Sequence, residues 1–95
     1  MAVPDGLEEL VPLYLADRRR DFREVSPLAT AADLARMRVI GHNLAGSGAS
    51  YGFEALSHLG AALERAARQG DFAESASQVA AIRRYLDLVQ LATAG

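Results

Sequence analysis

Apolar residues along this chain recur at helical spacing in four stretches, and nowhere do they alternate as they do along a strand. The first stretch, 7–24, carries a ragged stripe: Leu7, Leu10, Leu13 or Tyr14, then Asp17 and Phe22, with Val11, Leu15 and Val25 filling in. Pro12 cannot lie deep inside a helix, so the regular helix is expected to begin near Leu10 with Pro12 in its first turn. A short helical turn over 6–9 precedes it, and Ser26-Pro27 marks its end. The second helix is predicted over 31–50, with Thr30 as its N-cap and Asp33 in its first turn. At about 100° per residue, Leu34, Met37, Ile40, Gly41, Leu44, Ser47, Gly48 and Tyr51 share its inner side. Tyr51-Gly52 interrupts the pattern. A third helix follows over 53–69, facing inward with Phe53, Leu56, Leu59, Gly60, Leu63 and Ala67. Gly70-Asp71 reads as a C-terminal glycine followed by a helix-starting acid. The fourth helix, 72–91, has Phe72, Ser75 or Ala76, Val79, Ile82, Leu86 and Val89 as its stripe. Four amphipathic helices with short connectors predict an all-α fold, an antiparallel up-and-down four-helix bundle, and the 95 residues are expected to form one domain (1–95).

Composition narrows the chemistry. There is no cysteine, which excludes a disulfide framework, a thiolate zinc site and a cysteine nucleophile. All ten basic residues are arginine, so a P-loop lysine and Schiff-base chemistry are excluded as well. A net charge of −2 gives no electrostatic reason to bind nucleic acid. No apolar run reaches membrane-spanning length, and the first ten residues carry acids where a signal peptide would be basic and then apolar. A soluble cytoplasmic protein is expected, without membrane or nucleic-acid partners.

The chemical lead is His42, which lies on the helical wheel opposite the inner stripe of the second helix. It is surrounded by very small residues: Gly41, Ala45, Gly46, Ser47, Gly48, Ala49 and Ser50 all lie within eight positions of it. Imidazole changes protonation near neutral pH and is a competent nucleophile when neutral. A glycine inside a helix costs about 1 kcal/mol relative to alanine, so Gly46 beside an exposed imidazole suggests that something must approach it. Gly48 falls on the core side, where close packing against a neighbouring helix is the better reading. The outer wall formed by Ala35, Val39, His42, Gly46 and Ala49 is small or apolar where a solvated face would be charged, and fits a docking surface for a partner. His58, four residues after Glu54, is expected to make a surface pair with it, and no His-x-x-x-His or Glu-x-x-His pair supports a metal site. Arg18, Arg19, Arg20 and Arg23 read as a solvated charge run at the end of the first helix.

The segment His42-Asn43-Leu44-Ala45-Gly46-Ser47, with Gly52 six positions after Gly46, resembles the histidine phosphotransfer (HPt) domains of bacterial phosphorelays, whose pattern is His-x-Leu-Lys-Gly-Ser/Ala followed by a glycine near the next helix. Leu56, Leu63 and Glu64 match the Leu…Leu-Glu stretch of that family's third helix, and Gly70-Asp71 its turn into the fourth, so the resemblance spans about residues 7–91. It implies a four-helix bundle that carries a phosphoryl group on His42, accepted from a response-regulator receiver aspartate or a hybrid histidine kinase and passed to another receiver. It implies no turnover and no cofactor of the chain's own, Mg²⁺ being supplied by the partner receiver. Gly46 would clear the space that the phosphoryl group enters, and Ser47 would support the helix close to the chemistry. The family's lysine is replaced here by Ala45, and Arg38, one turn before His42, is expected to supply the missing charge. The alternative is a degenerate HPt-like module, or another helical module, that binds a signalling partner without transferring phosphate.

Overall fold

The computed structural model describes residues 10–24 and 31–93 and contains four helices: α1 (Val11–Glu24), α2 (Ala31–Ser50), α3 (Glu54–Arg68) and α4 (Phe72–Thr93). Leu7, Val25, the turn over 6–9, the Ser26-Pro27 exit and the Thr30 cap lie outside the described residues. Pro12 is the second residue of α1, in the first turn as expected. The helices form the predicted bundle, with α2 and α3 making its most extensive pairing, α4 lying against α3, and α1 against α4.

Local chemistry turns the chain between α2 and α3 and again between α3 and α4. Gly52 and Gly70 both adopt positive φ, at 86° and 72°. In each case the following N–H reaches back five residues, Phe53 to the Gly48 carbonyl and Asp71 to the Ala66 carbonyl. The glycine N–H closes a tighter bond to Ala49 or Ala67. Both are Schellman endings, which satisfy the last helical carbonyls and need a residue that tolerates the left-handed region. Asp71 then caps α4, its carboxylate accepting from the Glu74 N–H at 2.9 Å.

The core is formed by Tyr14, Leu15, Phe22, Met37, Leu44, Phe53, Leu56, Leu63, Ala67, Val79, Ile82 and Leu86. The predicted stripes of α2 and α3 are therefore the buried faces, with Leu34, Ile40, Tyr51 and Leu59 half-buried around them. Two stripes need correction. In α1, Leu10 and Leu13 are exposed, and the inner face is Val11, Tyr14, Leu15 and Phe22. Steps of three residues drift about 60° each time around a helix, so only spacing that alternates threes and fours stays on one side. In α4, Phe72 is exposed and Ser75 takes the first core position. Phe72 is the first helical residue after the turn, at the end of the bundle.

The Tyr14 ring stacks on Tyr51, centroids 4.1 Å apart, and its hydroxyl shares a 2.7 Å hydrogen bond with Ser47 Oγ. Burial raises the Tyr14 pKa above its ordinary value, outweighing the lowering by Ser47 and Arg18. On α4, Arg83 Nε donates to the Phe22 carbonyl at 2.7 Å, satisfying an acceptor in the last turn of α1. Three arginines of the run on α1 pair with acids: Arg18 with Asp21, Arg20 with Asp17, and Arg19 with Asp87 of α4.

Candidate functional site

The site is built on the pairing of α2 with α3. A Cβ added to Gly41 would lie 2.7 Å from the Gly60 carbonyl oxygen and 2.8 Å from the Glu64 backbone nitrogen. One added to Gly60 would lie 2.8 Å from both the Ala45 nitrogen and the Gly41 carbonyl oxygen, and one on Gly48 would lie 2.7 Å from the Ser57 nitrogen. No side chain fits in that seam. The two backbones approach because these positions lack a Cβ, and the Ser57 hydroxyl bonds across to the Ala45 carbonyl.

This approach brings Glu64 to His42. The imidazole is exposed, with 72% of its side-chain surface accessible, and its Nδ1 lies 3.0 Å from Glu64 Oε2. The carboxylate is largely covered, at 18% exposure, and the same oxygen accepts from Arg68 Nη2 at 2.9 Å. An ionised carboxylate can only accept, so Nδ1 is the donor in this bond, and the neutral form of the ring that makes it keeps its lone pair on Nε2. The chain thus presents an accessible imidazole whose ring orientation and tautomer are fixed from beneath, with its nucleophilic nitrogen on the side away from Glu64.

The other predicted residues divide into two sets. Ala35, Arg38, Val39, Gly46 and Ala49 are exposed together with His42 on the outer wall of α2. Val39 keeps 58% of its surface accessible, and a Cβ added to Gly46 would meet nothing within 4 Å. Gly46 is therefore not required by any packing among the described residues, unlike Gly41 and Gly48. Ala45 and Ser47 lie elsewhere: Ala45 is half-buried beside Gly60, and Ser47 turns toward Tyr14 of α1. Ser47 ties two helices together rather than bordering the imidazole. His58 and Glu54 are both exposed, and the expected pair between them does not form. The described residues contain no cluster of three potential metal-ligating side chains, and no helix among them is long and apolar enough to cross a membrane.

A sequence model of the Hpt domain matches residues 9–92, nearly the whole chain. The chain belongs to the Hpt domain family. No curated protein and no solved structure gave a significant match. Members of this family are phosphotransfer modules that carry a phosphoryl group rather than turn over a substrate. Sequence reasoning placed Glu64 in the family's third-helix pattern but gave it no role, and it gave Arg68 none. A signal for Glu64 was present: a charged residue one turn after the inward-facing Gly60 and next to buried Leu63 must lie at the edge of the helix pairing.

Proposed function

We propose that this Hpt domain, acting as one unit over 1–95, is a cytoplasmic phosphorelay carrier that accepts a phosphoryl group on His42 Nε2 and passes it on. The donor and acceptor are receiver-domain aspartates of response regulators, or a hybrid histidine kinase on the donor side. The observation that carries the reading is an exposed His42 whose Nδ1–H is held by a largely covered carboxylate. The Nε2 lone pair attacks phosphorus in the receiver's aspartyl phosphate. The N–P bond forms as the P–O bond breaks, and the electron pair returns to the receiver's carboxylate. The ring gains positive charge in this step, and Glu64 stabilises it through the Nδ1–H bond in the way a buried acid supports a catalytic imidazolium. The Nδ1 proton stays in place, so the reverse transfer follows the same path. Positioning and charge stabilisation dominate phosphoryl transfer, and the partner brings the aspartate and its Mg²⁺. The open space over Gly46 and the small wall from Ala35 to Ala49 suit the close approach this requires.

Incubation with phosphorylated receivers is expected to leave acid-labile, base-stable phosphate on the protein. His42→Gln should abolish it and His58→Gln should not; retention of label in the His42 variant would overturn the assignment. Ala45 in place of the family's lysine favours a second reading, a binding-only module, for which a receiver would bind the wild-type chain and leave it unlabelled.

A further inference from the structure

Ala45 leaves the phosphoryl site without the cation expected on α2, and the sequence offers Arg38 as its replacement. Helix geometry alone does not single out Arg38, because side chains on a helix all lean toward its N-terminus and Arg38 and His42 lean in parallel. Arg38 is exposed on the wall of α2 and makes no bond to His42 or Glu64. The cation that reaches the carboxylate behind His42 comes from α3. Arg68 follows Glu64 by one turn, leans back toward it, and donates through Nη2 to the same oxygen that holds His42 Nδ1. Two bonds to one oxygen place that guanidinium nitrogen within about 6 Å of the imidazole at most.

We propose that Arg68 is the phosphoryl-binding cation of this domain, in place of the lysine missing at position 45. The inference rests on the phosphoryl-carrier reading above. Phosphorylation creates a need for such a group: the site then holds a phosphoryl dianion and the Glu64 carboxylate against one imidazolium. Arg68 bonds Glu64 through a single nitrogen and makes no other polar contact among the described residues, so its remaining N–H groups can take phosphoryl oxygens. Its guanidinium is 62% exposed at the rim, and its long side chain can pivot from the carboxylate to the phosphoryl group. Before transfer Arg68 holds Glu64 in place beneath the ring. After transfer it shares its charge with the phosphate, leaving Glu64 to the imidazolium.

The test needs no cognate receiver. The full chain is labelled with phosphoramidate, a small-molecule phosphoryl donor, in wild-type form and as His42→Gln, Arg68→Ala, Arg68→Lys and Arg38→Ala. Arg68→Ala is expected to take label about tenfold more slowly, the effect of losing one charge-assisted contact, with Arg68→Lys recovering most of the rate. In ³¹P spectra the second ionisation of the phosphoryl group should move to higher pH in Arg68→Ala, because a cation favours the dianion and its loss disfavours it. A merely structural arginine would not move that ionisation. Arg38→Ala should change the rate by less than about twofold. A labelled wild type whose rate and ³¹P midpoint are both indifferent to Arg68→Ala overturns this assignment alone, as does a larger loss in Arg38→Ala. A wild type that takes no label at His42 overturns the carrier reading, and this one with it.

Discussion

The inner and outer sides of α2 both use glycine, for opposite reasons. On the inner side Gly41 and Gly48 face the backbone of α3 so closely that a single added carbon would overlap it. On the outer side, between them in sequence, Gly46 faces open space. The inner glycines answer to a neighbour in the same chain and determine where Glu64 lies. The outer glycine has no such neighbour among the described residues, and its helix-propensity cost fits the proposed approach of a partner from outside. The residue type is uninformative without its side, and its side decides whether close packing accounts for it.

That contrast can be tested by the same substitution at each place. Gly60→Ala and Gly41→Ala force a carbon into backbone rather than into a flexible side chain, so overpacking of about 1–3 kcal/mol should exceed the ~1 kcal/mol gain in helix propensity. Chemical denaturation should show a net loss of up to about 2 kcal/mol for either. Gly41→Ala should also lengthen the His42–Glu64 bond, seen as loss of a single fixed imidazole tautomer in ¹⁵N spectra. If both variants were as stable as the wild type, the seam would not be close-packed in solution. Gly46→Ala should behave in the opposite way, melting higher through a gain of up to about 1 kcal/mol while phosphate transfer from a receiver slows. Unchanged transfer would mean that the outer wall does not need that space.

The smallest effect concerns the inner side where α2 meets α1. Tyr14 is held protonated by burial, so its pKa in the folded chain lies above the unfolded value of about 10. Above that pH the unfolded chain releases its proton first. The stabilisation is therefore complete below about pH 10 and is lost as pH rises through the folded value. Thermal melts should show stability falling on that alkaline limb. Tyr14→Phe should flatten the fall, with Tyr85, also raised by burial, accounting for part of what remains. At neutral pH the variant should lose about 1 kcal/mol, the worth of its bond to Ser47. An alkaline limb as steep in Tyr14→Phe as in the wild type would rule out its share.

Much of this molecule was legible in advance. The four helices, the Gly70-Asp71 turn, the buried faces of α2 and α3 and the outward placing of His42 follow from helical period and terminal signals, which act over one or two turns. The stripe of α1 was blurred because its leucines at positions 7, 10 and 13 are spaced by threes and compete with the true face. Ser47 was legible as an inner-side residue of α2, about 100° around the wheel from Gly46, but its partner Tyr14 lies on another helix and no spacing names it.

The sequence by itself determined the helices, the exposed imidazole and the family, because each is written in local spacing. Only the tertiary structure decided what stands behind that imidazole. Glu64 and Arg68 are 22 and 26 positions beyond His42, and no periodicity within one helix relates them to it. They meet because three glycines let two backbones close to a distance at which one carboxylate oxygen reaches both a ring nitrogen and a guanidinium, and that distance is a property of the pairing of α2 and α3 rather than of either helix.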